Sequence, residues 1–270
     1  MASIIHSAWE GSEDITDDFL LSYRTQYELH RDRKKALATF HRVRKPRGGA
    51  SRPSPMALTW QDFLEGVRND PHGSPKSRLE ILEAARDLFE RKGSLKQMTQ
   101  NERCAIAGTG SQQESKTYRG LHWSWFGTMR GLGTFASLIN KAPDNISDAL
   151  YHIPLSGDVD QEHYEHFVAD FSRAFTGEPR AGNIATASRL LAMKRPDHFI
   201  ALNRANQRGL AEGFGVGYTT IRLDTYWNKI VMPTRLSPWW NHPKPRSGMF
   251  NRRVWDARAA MMGCIYYVGN

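Results

Sequence analysis

The sequence predicts a mostly α-helical protein. Apolar residues recur at three- and four-residue spacing along most of the chain, no run alternates like a half-buried strand, and glycine or proline closes the periodic segments. With 270 residues, 40% of them hydrophobic and 24% charged, the chain is long enough and apolar enough to bury a sizeable core.

In chain order, Phe19, Leu20, Tyr23 and Tyr27 fit one helix face behind an acidic start at Glu13, Asp14, Asp17 and Asp18. From Arg24 to Arg52, ten Lys and Arg stand against Glu28 and Asp32, a local excess of +8 in a chain whose net charge is +9. Such a segment is either a solvated face with a flexible linker or a surface for backbone phosphates. Lys45 to Pro55, KPRGGASRPSP, has the composition of a linker, which divides the chain into a helical basic extension, 1–55, and a helical domain, 56–270.

Within that domain the periodicity predicts helices over Trp60–Val67 and Ser77–Lys92. The second carries a stripe of Leu79, Leu82, Ala85, Leu88 and Phe89 and stops at Gly93. Thr109–Gly120 is a polar loop leading into LHWSWFGTMRGLGTFASLINK, and SDALYHI, QEHYEHFVADFSRAF and ATASRLLAMK continue the helical pattern. After the turn Ala181-Gly182-Asn183 a helix runs from Ile184 to about Met193. Lys194-Arg195-Pro196-Asp197 breaks it, Phe199–Leu202 forms a short apolar step, and a further helix starts near Asn203 and ends at Gly213 or Gly215.

The excess of 37 Lys+Arg over 28 Asp+Glu makes a polyanion the leading partner class. Cys104 and Cys264 are the only cysteines, too few for a four-thiolate zinc or iron–sulfur site or for a disulfide framework, and this usage suits the cytoplasm. No stretch approaches about 18 uninterrupted apolar residues, and no leader pattern opens the chain, so no membrane association is expected.

Two segments interleave aromatics with cations. HWSWFGTMRGLGTF sets Trp123, Trp125, Phe126 and Phe135 around three glycines with Met129 and Arg130 between them. SPWWNHPKPRSGMFNRRVW sets Trp239 and Trp240 beside Lys244, Arg246, Arg252 and Arg253. Flat rings and close backbone serve either base stacking or core packing, and both readings stand at this level. His163 and His166 with His152 suggest a metal only weakly; the pattern fits a solvated face opposite Tyr164, Phe167 and Val168, and no metal is expected. Pro196-Asp197 could open a nuclease motif, but no acidic-x-Lys triplet follows, and no nucleotide-binding glycine loop or GxSxG elbow is present.

The segment RAGNIATASRLLAMKRPDHFIALNRANQRGLAEGFGV, from Arg180, resembles the helix-hairpin-helix superfamily of base-excision DNA glycosylases. There a glycine hairpin leads to a Thr-Ala helix, and an apolar step then presents a catalytic aspartate at the next helix start. Here Thr186-Ala187 precedes Asn203 by 17 positions. The resemblance implies a helix-hairpin-helix glycosylase-like fold with a basic N-terminal extension, a monomer acting on double-stranded DNA with a modified base, and no cofactor. Ala185 stands where bifunctional members carry a lyase lysine, which implies a monofunctional enzyme. Weaker likenesses in FGTMRGLG, RLLAMKRPD and Trp255–Met261 resemble phage-defence glycosylases that excise hypermodified viral bases.

The resemblance further implies DNA contacts from Arg180, Gly182, Asn183, Ile184, Ala185, Thr186, Arg204, Asn206 and Arg208, with Met129 or Arg130 filling the vacated stack. The base pocket would draw on Trp123, Trp125, Phe126, Trp239 and Trp240. The hairpin keeps one glycine where the family has two, and Asn203 occupies the aspartate position. An amide cannot act as an ionised carboxylate. Either it replaces a natural aspartate, or it positions water, or the protein is a non-catalytic helix-hairpin-helix binder of nucleic acid.

Overall fold

A computed structural model gives the fold of residues 53–70, 75–110 and 118–267. The chain divides after Gly49, and the described residues belong to the second unit, Ala50–Asn270. The basic segment Arg24–Arg52 lies outside the described residues. Among those described there is no strand. The helices are α1 (Trp60–Arg68), α2 (Pro75–Lys92), α3 (Gln100–Ala107), α4 (Gly133–Lys141), α5 (Pro143–Tyr151), α6 (Gln161–Arg173), α7 (Ile184–Lys194), α8 (Gln207–Gly213), α9 (Leu223–Tyr226), α10 (Met232–Leu236), α11 (Met249–Asp256) and α12 (Arg258–Ile265). No described helix is long and apolar enough to cross a membrane.

Local chemistry starts several of these elements. Thr59, Thr99, Asp160 and Asn183 each accept the backbone N–H three residues ahead, and the side chain there returns the bond to the cap N–H, so two otherwise orphaned donors are satisfied at each start. Between α9 and α10, Trp227–Val231 is one π-helical turn: Met232 N–H donates to Trp227 O, five residues back, just before Pro233, which has no N–H to give.

The core centres on α7. Every residue of this helix except Ala185 is buried, and it packs against α2, α3 and α9. An amphipathic helix shows one apolar stripe, whereas α7 is enclosed all round, so its polar side chains must find partners inside. The α2 stripe read from the sequence is buried in full. α12 closes the opposite side against α1 and α2 with Ala259, Ala260, Met261 and Met262.

Candidate functional site

The hairpin before α7 is held by short-range bonds. Asn183 Oδ1 accepts from Thr186 N–H at 3.1 Å, and Thr186 Oγ1 accepts from Asn183 N–H at 3.3 Å. Gly182 sits where a Cβ would come within 2.5 Å of ring carbons of both Phe171 and Phe175, so only glycine lets the hairpin lie on α6 and the turn after it. Arg180, Ala181 and Asn183 are exposed above a cavity of about 160 Å³ that also touches Leu132 and Thr134 at the start of α4. The first turn of α7 thus faces an opening, and the unpaired N–H groups of a helix start favour an anion.

The apolar step Phe199–Leu202 is buried, and side chains satisfy its backbone. Tyr226 Oη accepts from Ile200 N–H at 3.0 Å and donates to Ile200 O at 2.8 Å; Ser188 Oγ accepts from Leu202 N–H at 2.9 Å. Burial, the largest effect, pushes the Tyr226 hydroxyl far above its ordinary range. Asn203 and Asn206 then form a reciprocal lock. Asn206 Oδ1 accepts from Asn203 N–H at 2.8 Å, while Asn203 Oδ1 accepts from Ala205 N–H at 2.9 Å and Asn206 N–H at 3.2 Å. Asn206 Nδ2 donates to Ala201 O at 2.8 Å. The structure starts α8 at Gln207, four residues beyond the sequence expectation, because residues 203–206 are this turn.

The aromatic–glycine segment meets Asn203 directly. A Cβ on Gly127, whose φ is +92°, would lie 2.8 Å from Asn203 Cβ. Arg189 of α7 anchors that segment: its guanidinium donates to the carbonyls of Ala105, Ile106, Trp123 and Gly127 at 2.6–2.9 Å. Burial lowers its pKa to about 9, which leaves it charged at neutral pH. Four carbonyl partners offset the desolvation of this cation. Gly108, with φ +71°, gives the approach room, since a Cβ there would stand 2.6 Å from Arg189 Cζ.

Several expected site residues are placed elsewhere. Trp123 and Trp239 have 0% exposure. Trp123 Nε1 donates to Tyr118 O, and Trp239 stacks on Phe63 at 4.5 Å and donates to Pro55 O. Both belong to the core, as do Phe126 and Met129, and all four are withdrawn from the base pocket and the stack-filling role. Side chains this large, once buried, are held in place by core packing. Asn206 and Thr186 are also buried, so their side chains serve the turns and not a DNA contact; Ile184 is buried, which leaves only its backbone N–H for a phosphate. Trp125 is half-buried under the Arg78 guanidinium at 4.8 Å. Trp240 is half-buried at the other end of α7, beside Asp197, whose carbonyl accepts from its Nε1 at 2.9 Å. Arg130, Arg204 and Arg208 are exposed, with Arg208 3.6 Å from Glu212.

Sequence reasoning missed Ser188, Arg189, Tyr226 and Arg258. Arg189 and Arg258 fall in segments that supply only likenesses and no role for these residues; Ser188, Arg189 and Tyr226 act through partners far along the chain, and Arg258 through Trp255 and the more distant Trp240. Asp197, considered as half of a nuclease motif, accepts both arms of Arg195 at 2.9 Å. Burial raises its pKa, but the Arg195 bonds, with His198 and the cations around it, bring it below the usual carboxylate range. His163 caps α6 with Asp160, and among the described residues no three His, Cys, Asp or Glu side chains are grouped to hold a metal. No protein-family profile, curated protein or solved structure gives a match to this chain.

Proposed function

We propose that this protein binds double-stranded DNA and acts on an everted, modified base as a monofunctional glycosylase. The supporting observation is the meeting of Gly127 with Asn203, which brings the exposed Arg130 segment beside the polar turn at the end of the apolar step. On this reading the hairpin around Gly182 and Asn183 takes a phosphate on the α7 start, with Arg180, Arg204 and Arg208 tracking the backbone. The target nucleotide swings toward the Asn203 turn, and water replaces the base at the sugar C1′ while the base leaves with a proton. Hypermodified viral bases are the first substrates to test, given the likeness to phage-defence glycosylases.

Asn203 bears on the rate. Its Oδ1 already accepts two backbone N–H groups, and an amide adds no negative charge beside a sugar that turns cationic in the transition state. This same observation favours a second reading, a non-catalytic DNA-binding protein. Single-turnover abasic-site formation on modified duplexes separates the two. Under the glycosylase reading, Asn203→Asp raises excision by about 10²–10³-fold, the scale of one well-placed electrostatic group. DNA binding without abasic product from either form selects the binding reading, and absence of salt-dependent DNA binding overturns both.

A further inference from the structure

The geometry points to a phosphate-monoester site in the cavity at the C-terminal end of α7, held by Arg258 and Lys194. This cavity of about 380 Å³ is separate from the hairpin: α7 spans 11 residues between them, about 16 Å of helix. The inference does not depend on the glycosylase reading.

Cations and indoles alternate in a row of which Trp240, Trp255 and Arg258 line the cavity. Lys244 Nζ lies 5.3 Å from the Trp255 ring centre, Arg258 Cζ lies 4.1 Å from Trp255 and 4.5 Å from Trp240, and Arg235 Cζ lies 5.5 Å from Trp240. The outer cations have carboxylates: Lys244 pairs with Asp256 at 2.6 Å and Arg235 with Asp158 at 2.8 Å. Asp197 is taken by Arg195. The acidic residues lining the cavity are each bonded to another cation; Asp197 and Asp256 also act on Arg258 through space, but among the described residues no carboxylate is hydrogen-bonded to Arg258 or Lys194.

Both of these cations are interior, Lys194 with 5% and Arg258 with 6% exposure. Lys194 Nζ donates one bond, to Leu150 O at 2.7 Å, and Arg258 Nη1 donates to Trp255 O at 3.0 Å. Arg258 Nε is buried without a partner. A buried guanidinium fixed between two indoles on the cavity lining, with its Nε–H left unsatisfied behind that lining, is poor in acceptors and favours an oxyanion in the cavity. Lys194, Arg195, Arg235, Lys244 and Arg258 outnumber Asp158, Asp197 and Asp256 by two, a net excess that matches the charge of a phosphate monoester near neutral pH, about −1.5 to −2. The indoles hold the guanidinium in place, so the phosphate is what the site recognises. Its source is either a free nucleotide or a 5′-phosphorylated DNA end.

Titration calorimetry with inorganic phosphate and a nucleoside 5′-monophosphate tests the site on the full chain. Saturable binding is expected for both, weakened at least about tenfold by Arg258→Gln, which removes one charge-assisted contact. Because Arg258 is interior, Ser156→Glu supplies a second variant: Ser156 is exposed on the cavity rim, and a carboxylate there repels the ligand without disturbing the core. Duplexes ending in 5′-phosphate or 5′-hydroxyl separate the sources. Tighter binding of the phosphorylated end assigns the DNA terminus, and equal binding of the two ends alongside nucleotide binding assigns the free nucleotide; either supports the site. No saturable phosphate or nucleotide binding by about 10 mM, binding unchanged in both variants, or equal competition by acetate overturns it.

Discussion

In the hairpin before α7 and in the turn before α8 polar groups are satisfied within three residues of themselves, as in Asn183 with Thr186 and Asn203 with Asn206. At the C-terminal end of α7 the local Arg195–Asp197 pair is joined by bonds across much longer separations: Lys194 reaches Leu150, and Arg195 reaches Pro154 and Gly157. Arg189, midway, reaches back to Ala105 and Ile106. Short-range locks fix the shape of a turn and leave its outer face open to a partner. Long-range locks join helices, so losing one loosens several elements together. The contrast predicts that substitutions within α7 and at its C-terminal end damage the fold, whereas those at the hairpin surface alter binding.

The largest expected effect is Arg189→Met. It strands four interior carbonyls and frees the Gly127 segment, and the expected loss is about 3–5 kcal/mol in urea denaturation. A loss below about 1 kcal/mol would show that water or backbone movement replaces the guanidinium, and the proposed anchoring of Gly127 on Asn203 would go with it.

Next in size is an acid effect at the C-terminal end. Burial lowers the His198 pKa to about 4, against the opposing pull of Asp197 at 3.4 Å. The unfolded chain binds the proton more readily between about 4 and the unperturbed 6.5, so stability from this group falls as pH drops through that window. The change amounts to up to about 3 kcal/mol at full protonation of the unfolded side chain. His198→Gln should flatten the pH dependence of unfolding between pH 4 and 6.5 relative to the parent chain; an unchanged profile would place the acid sensitivity elsewhere.

This division also explains what could be read from the sequence. Ile184–Met193 was legible as a helix because Gly182-Asn183 and Pro196 bracket it, and the structure extends it by one residue to Lys194. The helix after the apolar step was legible, but it starts four residues later than expected, because the side-chain bonds of Asn203 and Asn206 hold residues 203–206 in a turn before Gln207. Composition could not divide the tryptophans. Trp123 and Trp239 lie in the core while Trp125 and Trp240 remain half-exposed, and the difference rests on Tyr118, Phe63 and Pro55, which only the fold brings close. The pairing of Arg258 with two indoles was invisible for the same reason, with Trp240 lying 18 positions upstream.

Gly182→Ala comes third. Its Cβ would meet Phe171 and Phe175 at 2.5 Å, so the hairpin must lift or the rings must move, at about 1–3 kcal/mol. Thermal unfolding measures the cost, and DNA affinity should fall with it. Asn203→Ala follows, with about 1–2 kcal/mol for the lost cap, while Asn203→Asp retains the acceptor and should stay within about 0.5 kcal/mol of the parent. If aspartate is as damaging as alanine, the amide nitrogen carries a structural role and the excision comparison must be corrected for folding.

The smallest effect on stability, and the sharpest test of the contrast, belongs to Arg180→Ala and Arg208→Ala. Both side chains are exposed, and the ion pair of Arg208 with Glu212 is a solvated pair four residues away on α8. Such pairs contribute about 0–1 kcal/mol, so unfolding should barely shift. On DNA each arginine that neutralises a phosphate releases counterions, and its removal should reduce the slope of log K against log salt by about 0.9. The two losses should add, because the residues lie on separate turns with no shared partner. A slope that stays the same with both arginines removed would mean that the hairpin surface does not face the backbone, and the open face left by the short-range locks would need another occupant.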